Sequence, residues 1–136
     1  MSQSEATILI IDDDPEIRQL VDLGLSRHGF QVVAAASGTE GLIRAEREQP
    51  ACILLDIMMR EMDGWETLRL LRLDDETRAI PVVILSARSE TRDRIRALQE
   101  GAADYLTKPF SVRDVAKRLR AVIAMPNIPN PRGDEP

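Results

Sequence analysis

The sequence has little cysteine and no long apolar segment. Its 136 residues contain one cysteine, Cys52, which excludes an internal disulfide and a cysteine-based zinc site. No apolar run approaches the roughly 20 residues that a membrane-spanning helix needs. The first apolar run, at residues 8–11, is too short for a signal peptide and is followed at once by acids. These observations predict a soluble, cytoplasmic protein without a membrane partner.

Aromatic side chains and excess positive charge are also scarce. The chain has one Trp, one Tyr and two Phe, which are too few for the stacking platforms of single-stranded nucleic-acid binders. Its 18 Lys and Arg residues against 23 Asp and Glu residues give a net charge of −5, and they form no dense basic stripe. We therefore expect that this domain does not bind nucleic acid.

Five short apolar runs alternate with five helical segments, a pattern typical of an α/β fold with a mostly parallel sheet. Strands are predicted near residues 7–11, 30–35, 52–55, 82–85 and 104–107. The first, third and fourth are continuously apolar, as in strands that are buried on both faces. Residues 7–124 are predicted to form one domain. Residues 125–136 hold four of the eight prolines and are predicted to be a flexible tail or linker.

Polar side chains follow four of the five predicted strands. In chain order, these side chains are Asp12, Asp13 and Asp14, then Asp56, then Ser86, then Thr107 and Lys108. Ligands of open parallel sheets bind beyond the carboxyl ends of the strands. The sequence therefore predicts that carboxylates, a hydroxyl group and an ammonium group meet at one edge of the sheet.

Such a cluster fits phosphoryl chemistry. Converging carboxylates raise one another's pKa unless a cation neutralises them, and an oxygen-only ligand set suits Mg²⁺. Lys108 adds a second positive charge, so that a metal ion, an amine and the hydroxyl of Ser86 surround a carboxylate. Asp56 can then be a nucleophile that forms an aspartyl phosphate.

Each of these residues taken alone also has an ordinary structural interpretation. Asp14 is the expected cap of the first helix, and the two preceding acids could belong to the same capping cluster. Ser86 could cap a turn, Lys108 could be solvated, and Tyr105 could pack on an edge strand. It is the joint occurrence at consecutive strand ends that favours a functional site.

Four motifs identify the family that the sequence resembles. They are ILIIDDDP (residues 8–15), LLDIMMREMDG (54–64), ILSA (84–87) and DYLTKPF (104–110). In this order they resemble the receiver domain of bacterial two-component response regulators of the chemotaxis-regulator type, over about residues 7–124. The resemblance implies a flavodoxin-like, doubly wound, five-stranded parallel sheet in the order 2-1-3-4-5 with five helices. It also implies a phosphorylation-dependent signalling switch.

The resemblance assigns roles to individual residues. Asp56 would accept the phosphoryl group from a sensor histidine kinase or a histidine phosphotransfer protein. Asp13 and Asp56, with the main-chain carbonyl of Met58, would bind Mg²⁺ directly, and Asp12 would act mainly through a metal-bound water. Lys108 would pair with the phosphoryl oxygens.

A second group of residues would carry the signal. Ser86 would move to hydrogen-bond the phosphoryl group, and Tyr105 would move between outward and inward positions. The output surface would be the fourth helix, the fifth strand and the fifth helix. Its downstream partner would be a protein that the sequence does not identify, and phosphorylation could drive homodimerisation. The domain would not be an enzyme for an external substrate, beyond its own phosphorylation and dephosphorylation.

One residue departs from the family pattern. The loop after Asp56 usually contains proline where this chain has Arg60. Loss of proline frees the backbone angle φ and restores an N–H group, and the arginine adds a cation near the site. A solvated arginine is the simpler expectation.

Two other functions fit the topology less well. A Mg²⁺-dependent phosphohydrolase with an aspartyl nucleophile typically carries a second acid two residues after the first, where this chain has Met58, and it needs a cap domain. A nucleotide- or flavin-binding domain needs a glycine-rich loop after the first strand, where this chain has acids. The sequence favours a stand-alone receiver but leaves open that it is the receiver of a longer protein.

Overall fold

The computed structural model describes residues 6–125, in which strands and helices alternate strictly along the chain. The strands are β1 (Thr7–Ile11), β2 (Gln31–Ala35), β3 (Cys52–Leu55), β4 (Val82–Ser86) and β5 (Asp104–Thr107). The helices are α1 (Pro15–Arg27), α2 (Gly38–Glu48), α3 (Gly64–Leu73), α4 (Thr91–Gln99) and α5 (Val112–Ala124). All strand pairs are parallel and the order is β2-β1-β3-β4-β5, which confirms the predicted flavodoxin-like sheet with five helices.

The sheet separates two apolar cores. Alternate residues of each central strand point to opposite faces, so that in β1 Leu9 and Ile11 pack on one face while Ile8 and Ile10 pack on the other. The first core contains residues of α2, α3 and α4, and the second contains residues of α1 and α5. Every residue of β3 and β4 is buried, which explains why these strands are continuously apolar in sequence.

Most of the helices begin at a residue whose side chain caps the helix N-terminus, shortly after the preceding strand ends. The side chains of Asp14, Ser37, Asp63 and Ser111 each accept a hydrogen bond from a main-chain N–H in the first turn of the following helix. Pro15 occupies the first turn of α1, where no N–H partner is needed. Short connections of this kind hold the polar residues at the carboxyl edge of the sheet.

The predicted boundaries differ slightly from the structure. Strand β2 begins at Gln31 rather than at Phe30, whose ring is buried in the second core. Strand β1 begins and α5 ends at the limits of the predicted domain, residues 7–124, and that division stays a prediction. Apart from Met125, the predicted tail at residues 125–136 lies outside the described residues. Within residues 6–125, no helix is long and apolar enough to cross a membrane.

Candidate functional site

Three aspartates meet at the carboxyl ends of β1 and β3. Each of Asp12, Asp13 and Asp56 offers one carboxylate oxygen, and the three oxygens lie within 4.8 Å of one another. Asp12 is fully buried and Asp56 is 4% exposed, whereas Asp13 is half-buried. The acids come together because β1 and β3 are neighbouring parallel strands that end at the same level, with Ile11 in register with Leu55.

Main-chain N–H groups hold one oxygen of each carboxylate. The hydrogen bonds run from Asp14 N to Asp12 Oδ1 (2.9 Å), from Met58 N to Asp56 Oδ1 (3.0 Å) and from Arg60 N to Asp13 Oδ2 (3.0 Å). These bonds fix the orientation of the carboxylates and leave a second oxygen of each for other partners. Groups that orient a ligating carboxylate in this way are common around metal ions.

Lys108 brings the compensating positive charge from the end of β5. Its Nζ lies 3.2 Å from Asp12 Oδ2 and 3.7 Å from Asp56 Oδ2, and its side chain is 21% exposed. The main-chain N–H of Lys108 donates to the carbonyl of Ser86, and the peptide bond to Pro109 is cis. The amine therefore bridges the two most deeply buried carboxylates.

Burial perturbs the protonation of Asp56. Desolvation raises its pKa from 3.8 to about 6, and the negative charge of Asp12 adds to this rise. The N–H of Met58 and the charge of Lys108 act in the opposite direction. Asp56 is thus ionised at neutral pH only at a considerable cost, which a further cation would reduce.

The ligand set fits a hard divalent cation. The three carboxylates supply oxygen only, without His or Cys, and Mg²⁺ is typically held by one or two carboxylates, waters and phosphate oxygens. The cluster is also short of positive charge, because Lys108 is shared between two of its acids. The residues present therefore suit Mg²⁺ chemically. Direct coordination by the Met58 carbonyl stays a prediction.

Ser86 and Tyr105 contact the same loop residue after β4. The fully buried Ser86 accepts a hydrogen bond from the N–H of Arg88 at 3.0 Å, and the hydroxyl of Tyr105 donates to the carbonyl of Arg88 at 2.6 Å. The Tyr105 side chain is turned inward and is 4% exposed, and burial raises its pKa. The turn-capping interpretation of Ser86 thus describes this conformation. Both predicted switch residues converge on one segment.

The sequence does not predict two further contacts of charged side chains near the site. Asp93 in the first turn of α4 is 7% exposed, and its Oδ2 lies 3.5 Å from Arg88 Nε. Arg18 of α1 donates to the main-chain carbonyl of Asp12 at 2.8 Å. The only sequence signal for the first contact is an acid in a helix first turn, which is common on protein surfaces.

A cavity lies beside the acid cluster. Its volume is about 300 Å³, and it is lined by Asp13, Ala36, Ser37 and residues 59–62. The cavity opens between the loop after β3 and the start of α2. The Asp13 side of the cluster is therefore open to solvent, next to the exposed side chains of Arg60 and Glu61.

The fold and this site define a class: a flavodoxin-like domain whose sheet edge carries a lysine-flanked acidic cleft. Residues 8–120 match the family described as the response regulator receiver domain. The chain belongs to this family, whose members are phosphorylation-dependent switches of two-component signalling. No comparison supports the phosphohydrolase alternative.

Curated relatives and solved structures agree with this assignment. The chain is 43% identical over 116 residues to the DNA-binding dual master transcriptional regulator RpaA of Synechocystis, covering 85% of this chain and 48% of RpaA. It is 38% identical to the alkaline phosphatase synthesis regulator PhoP of Bacillus subtilis, covering 93% of this chain and 52% of PhoP. The chain thus spans about half the length of the curated relatives it matches.

Two solved structures are similar over nearly their whole length. Chemotaxis protein CheY4 of Vibrio cholerae has a TM-score of 0.83 at 29% identity, covering 88% of this chain and 99% of that one. The receiver domain of a sensor histidine kinase of Pseudomonas aeruginosa has a TM-score of 0.82 at 30% identity, covering 90% of this chain and 100% of that one. The latter carries a magnesium ion coordinated in its active-site cleft.

Proposed function

We propose that Asp56 is the phosphoacceptor of this receiver domain. The observation that carries the proposal is its position: one oxygen is held by the N–H of Met58, and the other lies 3.7 Å from the amine of Lys108. An oriented carboxylate beside a positive charge is prepared to attack an electrophile that bears negative oxygens. Asp12 shares Lys108 with Asp56 but is fully buried. Asp13 accepts the main-chain N–H of Arg60 and forms no ion pair with Lys108.

The transfer needs no further reactant. The Oδ2 oxygen of Asp56 forms a bond to the phosphorus of a phosphohistidine, and the bond between phosphorus and the histidine nitrogen breaks. The leaving nitrogen keeps the electron pair of that bond, and the histidine ends neutral after proton exchange with solvent. Lys108 would then pair with a phosphoryl oxygen, because its amine already lies beside Asp56. The donor is a sensor histidine kinase or a histidine phosphotransfer protein.

We propose that Mg²⁺ would be bound directly by Asp13, Asp56 and the main-chain carbonyl of Met58, and that Asp12 would act mainly through a metal-bound water. When bound, the ion would neutralise charge on the carboxylates and on the phosphoryl oxygens. The domain would catalyse only its own phosphorylation and dephosphorylation. In that sense it is a switch rather than an enzyme for an external substrate.

The signal would pass through the loop after β4. To reach a phosphoryl group on Asp56, the Ser86 hydroxyl would donate its proton to a phosphoryl oxygen while its oxygen still accepts from the N–H of Arg88, so a movement of Ser86 would carry Arg88 with it. Tyr105 holds the carbonyl of the same residue, so a shift of this loop changes the partner of the tyrosine as well. The responding surface would be α4, β5 and α5. Its target would be a protein, or a second copy of this chain in a phosphorylation-dependent dimer.

Some partner assignments stay predictions. RpaA is named as a DNA-binding regulator, but it is about twice as long as the region that matches this chain. That name therefore assigns no DNA binding to this domain, and we propose from its net charge of −5 that the domain itself binds no nucleic acid. We also propose a cytoplasmic location for this domain.

The phosphoacceptor can be tested with acetyl phosphate as the donor. The native protein in Mg²⁺ is expected to gain the mass of one phosphoryl group, and the Asp56→Asn variant is expected to gain none. Asp75→Asn is a matched control, because the side chain of Asp75 is 86% exposed and lies in the loop after α3. Phosphorylation of Asp56→Asn at the native rate would show that another residue is the acceptor.

The switch can be tested by amide hydrogen exchange and light scattering on the two forms. Phosphorylation is expected to change exchange in the loop after β4 and along α4, β5 and α5, and light scattering reports any dimer. Lys108→Ala should keep Mg²⁺ binding and become phosphorylated without this response. An identical exchange pattern before and after phosphorylation would refute the proposed route through Ser86 and Tyr105.

A further inference from the structure

Arg60 contacts a proposed metal ligand in two ways. Its main-chain N–H donates to Asp13 Oδ2 at 3.0 Å, and its side-chain Nε lies 3.9 Å from the same oxygen. The two residues are 47 positions apart in sequence, so the contact depends on the fold. The N–H bond requires a residue other than proline at position 60, because proline has no main-chain N–H.

The two parts of this contact differ in strength. The main-chain hydrogen bond comes from the backbone of the loop after β3, so its donor does not depend on the position of the Arg60 side chain. The guanidinium is 91% exposed while Asp13 is 27% exposed, so this ion pair is solvated and screened by salt. Among residues 6–125, Arg60 is the only basic side chain within ion-pair distance of Asp13, whereas Lys108 serves Asp12 and Asp56.

Arg60 therefore places a positive charge at the open side of the cluster, where Glu61 is the other charged residue, besides Asp13 itself, that lines the cavity. Arg60 also lines the cavity beside Asp13, through which solvent reaches this carboxylate. A divalent ion that binds Asp13 must share that carboxylate with Arg60 and must accept a positive charge nearby. Repulsion between a screened, exposed guanidinium and a divalent ion is modest but not negligible.

We propose that Arg60 is a tethered cation that competes with the divalent ion for Asp13 and so sets the Mg²⁺ affinity of the unphosphorylated protein. Without the ion, Arg60 partly neutralises the acid cluster. With the ion, its side chain is displaced toward solvent, which its exposure allows. This role of Arg60 rests on the metal site proposed above.

The test compares Mg²⁺ affinities measured by isothermal titration calorimetry at low salt, without any phosphoryl donor. Arg60→Gln is expected to bind Mg²⁺ about twofold to fivefold more tightly than the native protein, and Arg60→Lys is expected to stay close to native. Arg69→Gln is a control that loses the same charge: its side chain is 58% exposed and pairs with Glu66 on its own helix. This control is expected to match the native affinity.

Repeating the Mg²⁺ titrations at high salt distinguishes an effect of the Arg60 charge from an effect of the substitution on the loop conformation. The gain in Arg60→Gln should shrink below about twofold at 0.5 M NaCl, because a solvated charge is screened there. Equal affinities of Arg60→Gln and native protein, equal gains in Arg60→Gln and Arg69→Gln, or a gain that is unaffected by salt would each overturn the role of Arg60. Absence of Mg²⁺ binding in the native protein would overturn the metal site as well, whereas normal binding without an effect at residue 60 would overturn only this inference.

Discussion

Replacing Asp56 by Asn should stabilise the metal-free protein at neutral pH. The carboxylate of Asp56 is 4% exposed and lies near that of Asp12, so that its ionised form is unfavourable in the folded state. Asparagine has nearly the same shape, and its side-chain oxygen can still accept the N–H of Met58. The variant therefore removes the charge and keeps this anchoring bond.

The magnitude follows from the pKa of Asp56. A rise from 3.8 to about 6 corresponds to about 3 kcal/mol of unfolding free energy, at about 1.4 kcal/mol per pKa unit. In the window between these two pKa values the native state holds the proton more often than the unfolded state does. The stability of the native protein therefore falls as the pH rises from 3.8 to about 6, and the full cost persists above this window.

Urea unfolding in EDTA measures this difference directly. The gain in Asp56→Asn should be near zero at pH 4 and should approach about 3 kcal/mol at pH 7 to 8. The exposed Asp75→Asn control should change stability by no more than about 0.5 kcal/mol across the range. A gain that does not vary with pH, or no gain at pH 8, would refute the conclusion that burial of the Asp56 charge destabilises the fold.

Three other perturbations have definite expected outcomes. Lys108→Met should lower the unfolding free energy by about 1–3 kcal/mol at pH 8 in urea titrations, because it leaves the buried charge of Asp12 without its cation. Gly64→Ala should cost at least about 2 kcal/mol in the same assay, since an added Cβ would meet the main chain of Ile57. The thiol of Cys52, which is fully buried and has its pKa raised to about 12, should react with a thiol reagent only at the rate of global unfolding.

Much of the fold could be predicted because local signals and burial agree. The apolar residues of β1, β3 and β4 mark strands that are covered on both faces, and Asp14 caps α1 as its sequence position indicates. The order of the strands could not be worked out from these signals. Alternation of strands and helices is compatible with several strand orders. The observed order is predicted only by the resemblance to the receiver-domain family.

The site could be predicted in its members but not in its contacts. Asp12, Asp56 and Lys108 follow strand ends, and parallel strands bring such ends to one edge. How one amine is shared between two carboxylates depends on side-chain packing, which a motif does not contain. The burial of Asp93 against Arg88 is a second example, because an acid in the first turn of a helix is usually solvated.

The same burial that makes the site unfavourable without a cation makes it responsive to one. The buried Asp12 and Asp56 share a single lysine, and the pKa of Asp56 is raised, so any added positive charge near them is taken up with a large gain. A phosphoryl group on Asp56, as proposed above, would deepen this shortage of positive charge, because it would add negative oxygens beside Lys108. The Lys108 amine would then contact phosphoryl oxygens as well as the carboxylates, and the hydroxyl of Ser86 would be a further donor to those oxygens. In the proposed switch, the contacts that Lys108 and Ser86 would make with a phosphoryl group, and do not make with the bare carboxylate, would supply the free energy that moves the loop after β4.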